Sequence, residues 1–178
     1  MTRHAQQAPT PQGLHPWLAA LVLCAASGLA SAQGLIDRPD WTEGEVPPPP
    51  ALHTDGLVPF QVSVHATLRY GVDPASVSLG ADGVIRYVMV ARSDSGALNA
   101  WYEGLRCASA EVKTYARWRP GTPGSWGLVE RPEWRELVGH HASRAALVLA
   151  RNGFCQGNTP NGPPSRMLRE LSQGRPLQ

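Results

Sequence analysis

From Pro59 to Trp118 apolar and polar residues alternate with a period near two, and beyond His140 the spacing lengthens to that of a helix. Strands therefore come first and helices last. Phe60, Val62, Val64 and Ala66 oppose Gln61, Ser63, His65 and Thr67, which predicts a half-buried strand over 60–67. Asp73-Pro74-Ala75-Ser76 reads as a turn and 77–79 as a short strand. Gly80-Ala81-Asp82-Gly83 is then a hairpin connection, with glycine at both ends and an Asp-Gly step. Residues 84–92 are apolar on both faces apart from Arg86 and Arg92, the mark of a central strand. After a turn at Asp94-Ser95-Gly96, residues 100–107 and 110–118 return as strands, with Gly104 a candidate bulge. Residues 126–129 form one more short edge. Helical spacing follows over 140–152, with Gly153 as C-terminal cap, and over 165–172, where Met167, Leu168 and Leu171 make the apolar stripe. The predicted fold is α+β: an antiparallel β-meander of about five strands, with the C-terminal helices packed on one face.

The first residues follow neither period. Arg3 precedes an uncharged apolar run over 17–30, and Ala30-Ser31-Ala32 supplies the small residues of a peptidase site, so residues 1–32 read as a signal peptide cleaved before Gln33. The run is too short for a membrane span, which needs about 20 apolar residues. Bulky Leu23 before Cys24 argues against a lipoprotein. Export to the periplasm is the expected address, with no transmembrane segment after cleavage. Residues 33–57 form a Pro-rich N-terminal arm in which Pro47-Pro48-Pro49-Pro50 favours a polyproline helix, read as a spacer with Trp41 available to dock it. Residues 58–178 suit a single domain.

Charge narrows the partners. A formal net charge of +2 gives no reason to expect nucleic acid or an anionic membrane surface. Outside the leader only Cys107 and Cys155 remain, without the CxxC spacing of a redox pair, so an exported chain is expected to join them as one structural disulfide. No GxSxG elbow is present. His140-His141 are adjacent and so point apart on a helix, which prevents chelation of one metal. Glu130, Glu133 and Glu136 lie among arginines as a solvated, self-paired surface. Neither a metal nor a cofactor is expected.

Two constellations remain. Tyr102, Glu103, Arg106, Lys113 and Tyr115 fall on neighbouring strands and form a candidate polar binding face, against the simpler reading of a cross-strand pair between Glu103 and Arg106 or Lys113. Trp118, Trp126 and Trp134 recur at a spacing of eight around a Pro and Gly loop. Exposed, they would stack on sugars or clamp a peptide; buried, they anchor the core.

The string DPASVSLGADGVIRYVMVARSDSG over 73–96, then YEGLRC, KTYARW, RPEW and a terminal NGFC over 152–155, resembles the CNP-one-like family of small exported proteins of Gram-negative bacteria. The resemblance runs from about Trp41 to Arg175 and departs at Ala100-Trp101. It implies an envelope protein with cysteines at the matching places, and it implies no reaction. The expected function is that of a periplasmic, non-enzymatic binding or assembly factor whose partner is an envelope protein or a cell-wall component. The rival is an envelope hydrolase acting on a wall or sugar substrate, with Glu103 or a glutamate of 130–136 as its acid. A third reading is a structural accessory to one partner protein.

Overall fold

The computed structural model describes residues 41–138 and 143–174. The leader with Cys24, and the pair His140-His141, lie outside them. The sheet is built around β4 (Val84–Ser93), in which every residue from Val84 to Ala91 is buried. It runs β1 (Val58–Phe60), β2 (Leu68–Val72), β4, β5 (Leu98–Arg106), β6 (Glu111–Arg119), β7 (Ser125–Leu128), all antiparallel. Two-residue pieces extend it: β3 (Ser78–Leu79) pairs with β4 beyond the end of β2, and β8 (Arg135–Glu136) pairs with β6 beyond β7. The meander expected as about five strands thus has eight; the strands not read from the sequence are β2 and the two-residue β8, the latter too short to show a period.

The predicted strand over 60–67 is corrected. β1 stops at Phe60, and residues 61–67 turn away because local bonds replace the ladder: Ala66 N–H donates to the Ser63 carbonyl at 3.2 Å, and His65 N–H to the Ser63 hydroxyl at 3.3 Å. Val62 reaches the core while Val64 is 59 % exposed. The strand that pairs is β2, with Val72 opposite Val58 and Met89.

Both faces of the sheet are covered. On one, Ile85, Tyr87, Met89, Leu105 and Val112 pack under α1 (Arg144–Leu149), the wider turn Ala150–Phe154 that continues it, and α2 (Pro164–Leu171), whose Met167 and Leu171 are buried. On the other, Val88, Val90, Ala100, Tyr102, Tyr115 and Ala116 are roofed by Val46, Leu52 and Leu57 of the N-terminal segment. The helices were expected on one face and are there; the arm expected as a spacer closes the other. This is why β4 is apolar on both sides.

Two glycines have a different use from the one their pattern implies. Gly153 is not a left-handed cap: its backbone is extended, and a Cβ there would stand 2.7 Å from the amide nitrogen of Leu171, so hydrogen is what lets α2 approach. Gly104 lies beside the bulge rather than in it. Tyr102 pairs with Ala116 but Glu103 with Thr114, which makes Tyr115 of β6 the extra residue, and a Cβ on Gly104 would collide with the Tyr115 hydroxyl. The disulfide joins Cys107, just past β5, to Cys155 at the start of β9 (Cys155–Gln156), with Cα atoms 5.7 Å apart. β9 pairs with β10 (Thr159–Pro160) in a separate two-stranded ribbon. Among the described residues no helix is long and apolar enough to cross a membrane.

Candidate functional site

On the arm side, a buried cation sits in the sheet. Arg86 is 3 % exposed, and it is held by Asp82, the residue at the hairpin tip four positions earlier, through bonds of 2.7 and 3.2 Å. Glu43 of the arm completes the cluster. It accepts from Lys113 Nζ at 2.6 Å and from the Tyr115 hydroxyl at 2.5 Å, and lies 3.8 Å from Arg86. Burial raises the Asp82 carboxyl, but bonds from Arg86 and from the Val84 and Gly44 amides outweigh it and hold the group below its ordinary value. Tyr115 is pushed up by burial and then by its bond to Glu43. Trp41 lies under Arg106, with the guanidinium carbon 3.7 Å from the ring centroid, and donates its indole N–H to the Asp82 carbonyl at 2.9 Å.

Of the five candidate face residues, Tyr102, Arg106, Lys113 and Tyr115 therefore share this side, under the chain's own arm. Glu103 points to the other. The cross-strand pairs considered for it do not form: residues 103 and 106 fall on opposite faces by the two-residue period, and register sets Glu103 against Thr114 while Lys113 faces Gly104. Arg106 instead lies 3.7 Å from Glu111. The three tryptophans are half-buried and, together with Trp41, make two pairs. Trp118 meets Trp126 edge-on at 5.4 Å, and Trp126 donates to the Pro50 carbonyl at 2.7 Å; Trp134 meets Trp41 at 5.8 Å. Trp126 and Trp134 hold the arm directly, and Trp118 backs Trp126. Glu43 and Asp82 were not singled out from sequence, although a charged residue inside the apolar run 84–92 was itself a request for a partner.

On the helix side, Glu103 is 4 % exposed and accepts from the Tyr87 hydroxyl and from Thr114 Oγ1, each at 3.0 Å; Arg135 in turn donates to Thr114 Oγ1 at 3.1 Å. It backs a cavity of about 150 Å³ bordered also by Trp101, Arg117, Arg135 and Ala145. A groove of about 280 Å³ adjoins it through Tyr70 and Ala145 and brings in Ser63, His65, Thr67 and Arg144. Larger concavities of about 580 and 710 Å³ flank residues 52–57 on the arm side but contain no buried ionisable group. Burial is the main influence on Glu103 and raises its pKa, opposed by the bonds from Thr114 and Tyr87 and by the charges of Arg135 and Arg117. Glu130, Glu133 and Glu136 are exposed. Among the described residues no group of three His, Cys, Asp or Glu is placed to hold a metal.

A carboxyl with a raised native pKa binds its proton more tightly when folded, so its contribution to stability is present at low pH and is lost as pH rises from the unfolded value through the folded one. Glu103→Gln should remove that decline. Urea midpoints between about pH 4 and pH 8 are expected to fall with pH for the wild type more steeply than for the variant. Parallel profiles would mean that Glu103 titrates as an ordinary carboxylate.

The chain matches the CNP1-like family over residues 36–172, a stretch that takes in the arm, the sheet and both helices. It is 30 % identical over 135 residues to "Cryptic neisserial protein 1" of Neisseria gonorrhoeae (strain ATCC 700825 / FA 1090), in an alignment covering 65 % of this chain; it thus spans 63 % of that relative's length. No solved structure matches it. By the extent of that match the chain belongs to the CNP1-like family.

Proposed function

We propose that the protein is exported to the periplasm by residues 1–32 and acts there as a ligand-binding protein of the envelope, through the helix-side cavity at Glu103. One observation carries the preference for binding over hydrolysis. The cavity is bordered by a single carboxylate, already bonded to Tyr87 and Thr114, together with two arginines. Glycoside hydrolysis by the usual route needs a second carboxylate across the scissile bond, at roughly 5–10 Å from the first. A buried acid beside guanidinium groups that form no close ion pair among the described residues suits the holding of a polar ligand. The Cys107–Cys155 bridge supports an oxidising compartment.

Native mass spectrometry of the purified protein with a soluble digest of cell wall tests the reading. A retained complex with the digest left unchanged is expected. Conversion of the digest by the wild type but not by Glu103→Gln would establish the hydrolase instead. Export is checked separately: intact mass from a periplasmic fraction should correspond to a chain beginning at Gln33, and an uncleaved cytoplasmic protein would refute the address.

A further inference from the structure

We infer that the cavity at Glu103 and the adjoining groove at Arg144 form one binding site for an oxyanion, a carboxylate or phosphate group carried on a small molecule, with Arg117, Arg135 and Arg144 as its counter-charges. This rests on the binding reading above and names the ligand's class. The two hollows share Tyr70 and Ala145 as their common wall, so together they make one trough between β5, β6 and the start of α1.

Its charge is one-sided. Among the described residues bordering either hollow the only carboxylate is Glu103, at the cavity, whose two oxygens face the Tyr87 and Thr114 hydroxyls. None of the three arginines makes a close ion pair among the described residues, Arg117 and Arg135 reaching Glu103 only through their longer-range charge, whereas Arg86, Arg106 and Arg166 are each paired. Arg135 makes a single bond, to Thr114. Arg144 shows the deficit most directly: its Nε is shut off from solvent and has no acceptor. A buried N–H without a partner costs more than a bond gains, and native proteins rarely leave one unmet. Three other buried polar atoms share that condition, on Arg86, Arg106 and Asn161, and none of those residues borders either hollow. The planar guanidinium fork matches the two oxygens of a carboxylate or phosphate. Trp101 and Tyr70 provide apolar walls for the body of the ligand, and Ser63 and Thr67 lie at the far end of the groove.

The arginine Nε–Hε resonances of the full mature chain report on this directly. Three probes are used: N-acetyl-Ala-Ala with a free C-terminal carboxylate, the same dipeptide amidated, and inorganic phosphate. The free-acid dipeptide or phosphate should shift the Arg144 and Arg117 signals, and the amidated dipeptide should not. Whichever oxyanion binds identifies the source. In the Arg117→Ala/Arg144→Ala double variant the dissociation constant should rise about tenfold or more, the effect of losing a charge-assisted contact. Arg117 is exposed, so its loss is expected to leave the fold intact. No shift with either oxyanion at tens of millimolar, equal shifts from the amidated dipeptide, or unchanged affinity in the double variant would overturn the inference.

Ala145→Phe, which fills the shared wall, separates this failure from that of the parent reading. If it blocks retention of wall fragments while the arginine variants do not, the cavity binds but not through an oxyanion. If a wall ligand survives Ala145→Phe, the binding site lies elsewhere and both statements fall.

Discussion

Removal of residues 41–57 is expected to unfold the domain. The segment has no helix or strand of its own, and a linker of that composition is ordinarily dispensable. Here it supplies the roof of half the core. Val46, Leu52 and Leu57 cover Val88, Val90, Ala100 and Tyr102, and at about 25 cal/mol per Å² three partly buried aliphatic side chains contribute several kcal/mol. Glu43 adds an electrostatic part. With it gone, Lys113 and the Tyr115 hydroxyl lose their partner and Arg86 keeps only Asp82. Breaking a fully buried pair costs about 3–5 kcal/mol. The Glu43 and Lys113 side chains are each 15 % exposed, which places this one toward or somewhat below the lower figure. The total approaches the whole stability of a typical domain, about 5–15 kcal/mol, and the stripped apolar face invites aggregation. Glu43→Gln is the graded version. It keeps a hydrogen bond to Tyr115 and removes the charge, so the urea midpoint should fall by the equivalent of about 1–3 kcal/mol with the slope unchanged. A truncated protein with the same midpoint as the intact chain would mean that the arm contributes nothing.

Loss of the disulfide is the second large effect. Cys107 and Cys155 are separated by 48 positions, and the bridge encloses β6, β7, β8 and α1 in one loop. Restricting a loop of that length in the unfolded chain is worth about 4 kcal/mol on the entropic account. Cys107 is also packed in the helix-side core. Cys107→Ser/Cys155→Ser should therefore lower the thermal midpoint by about 10–20 °C. Thermal unfolding with and without reductant, with thiols counted at each step, measures it. An unchanged midpoint in protein shown to carry two free thiols would contradict the claim. The arm lies against the opposite face of the sheet, so the two losses should add when combined.

What was legible in the sequence follows from where periodicity is forced. β4, β5, β6 and α2 have long buried faces, and their bounds agree with the pattern to within two residues. Residues 60–67 alternate equally well, yet only Val62 of the set beyond Phe60 is buried, because the Ser63 turn satisfies the backbone locally. Alternation is necessary for a half-buried strand and does not by itself create a partner strand. The same rule, applied strictly, would have separated Glu103 from Tyr102 and Arg106, since even and odd positions of β5 face opposite ways. The bulge defeats the rule only in β6, where Tyr115 and Ala116 fall on the same side. Of the arm's role only the docking of Trp41 was legible. A polyproline run has no side-chain period, and its docking depends on Trp126 and Lys113, far along the chain. The arginine-lined trough was hidden for the same reason, its parts coming from β5, β6, β8 and α1.

The arm's bonds to Lys113, Tyr115 and Trp126 span 70, 72 and 76 positions. The arm also bonds to Asp82, 41 and 38 positions away, but its seat is complete only once the last long strand and the tryptophan after it exist. Contacts of such long range slow folding and make it cooperative. Neither half of the chain can close its own core, so a cut in the 120–124 loop should give two complementary fragments that fold only on meeting. A chain held by contacts of this range commits to its native form only once its later strands have arrived.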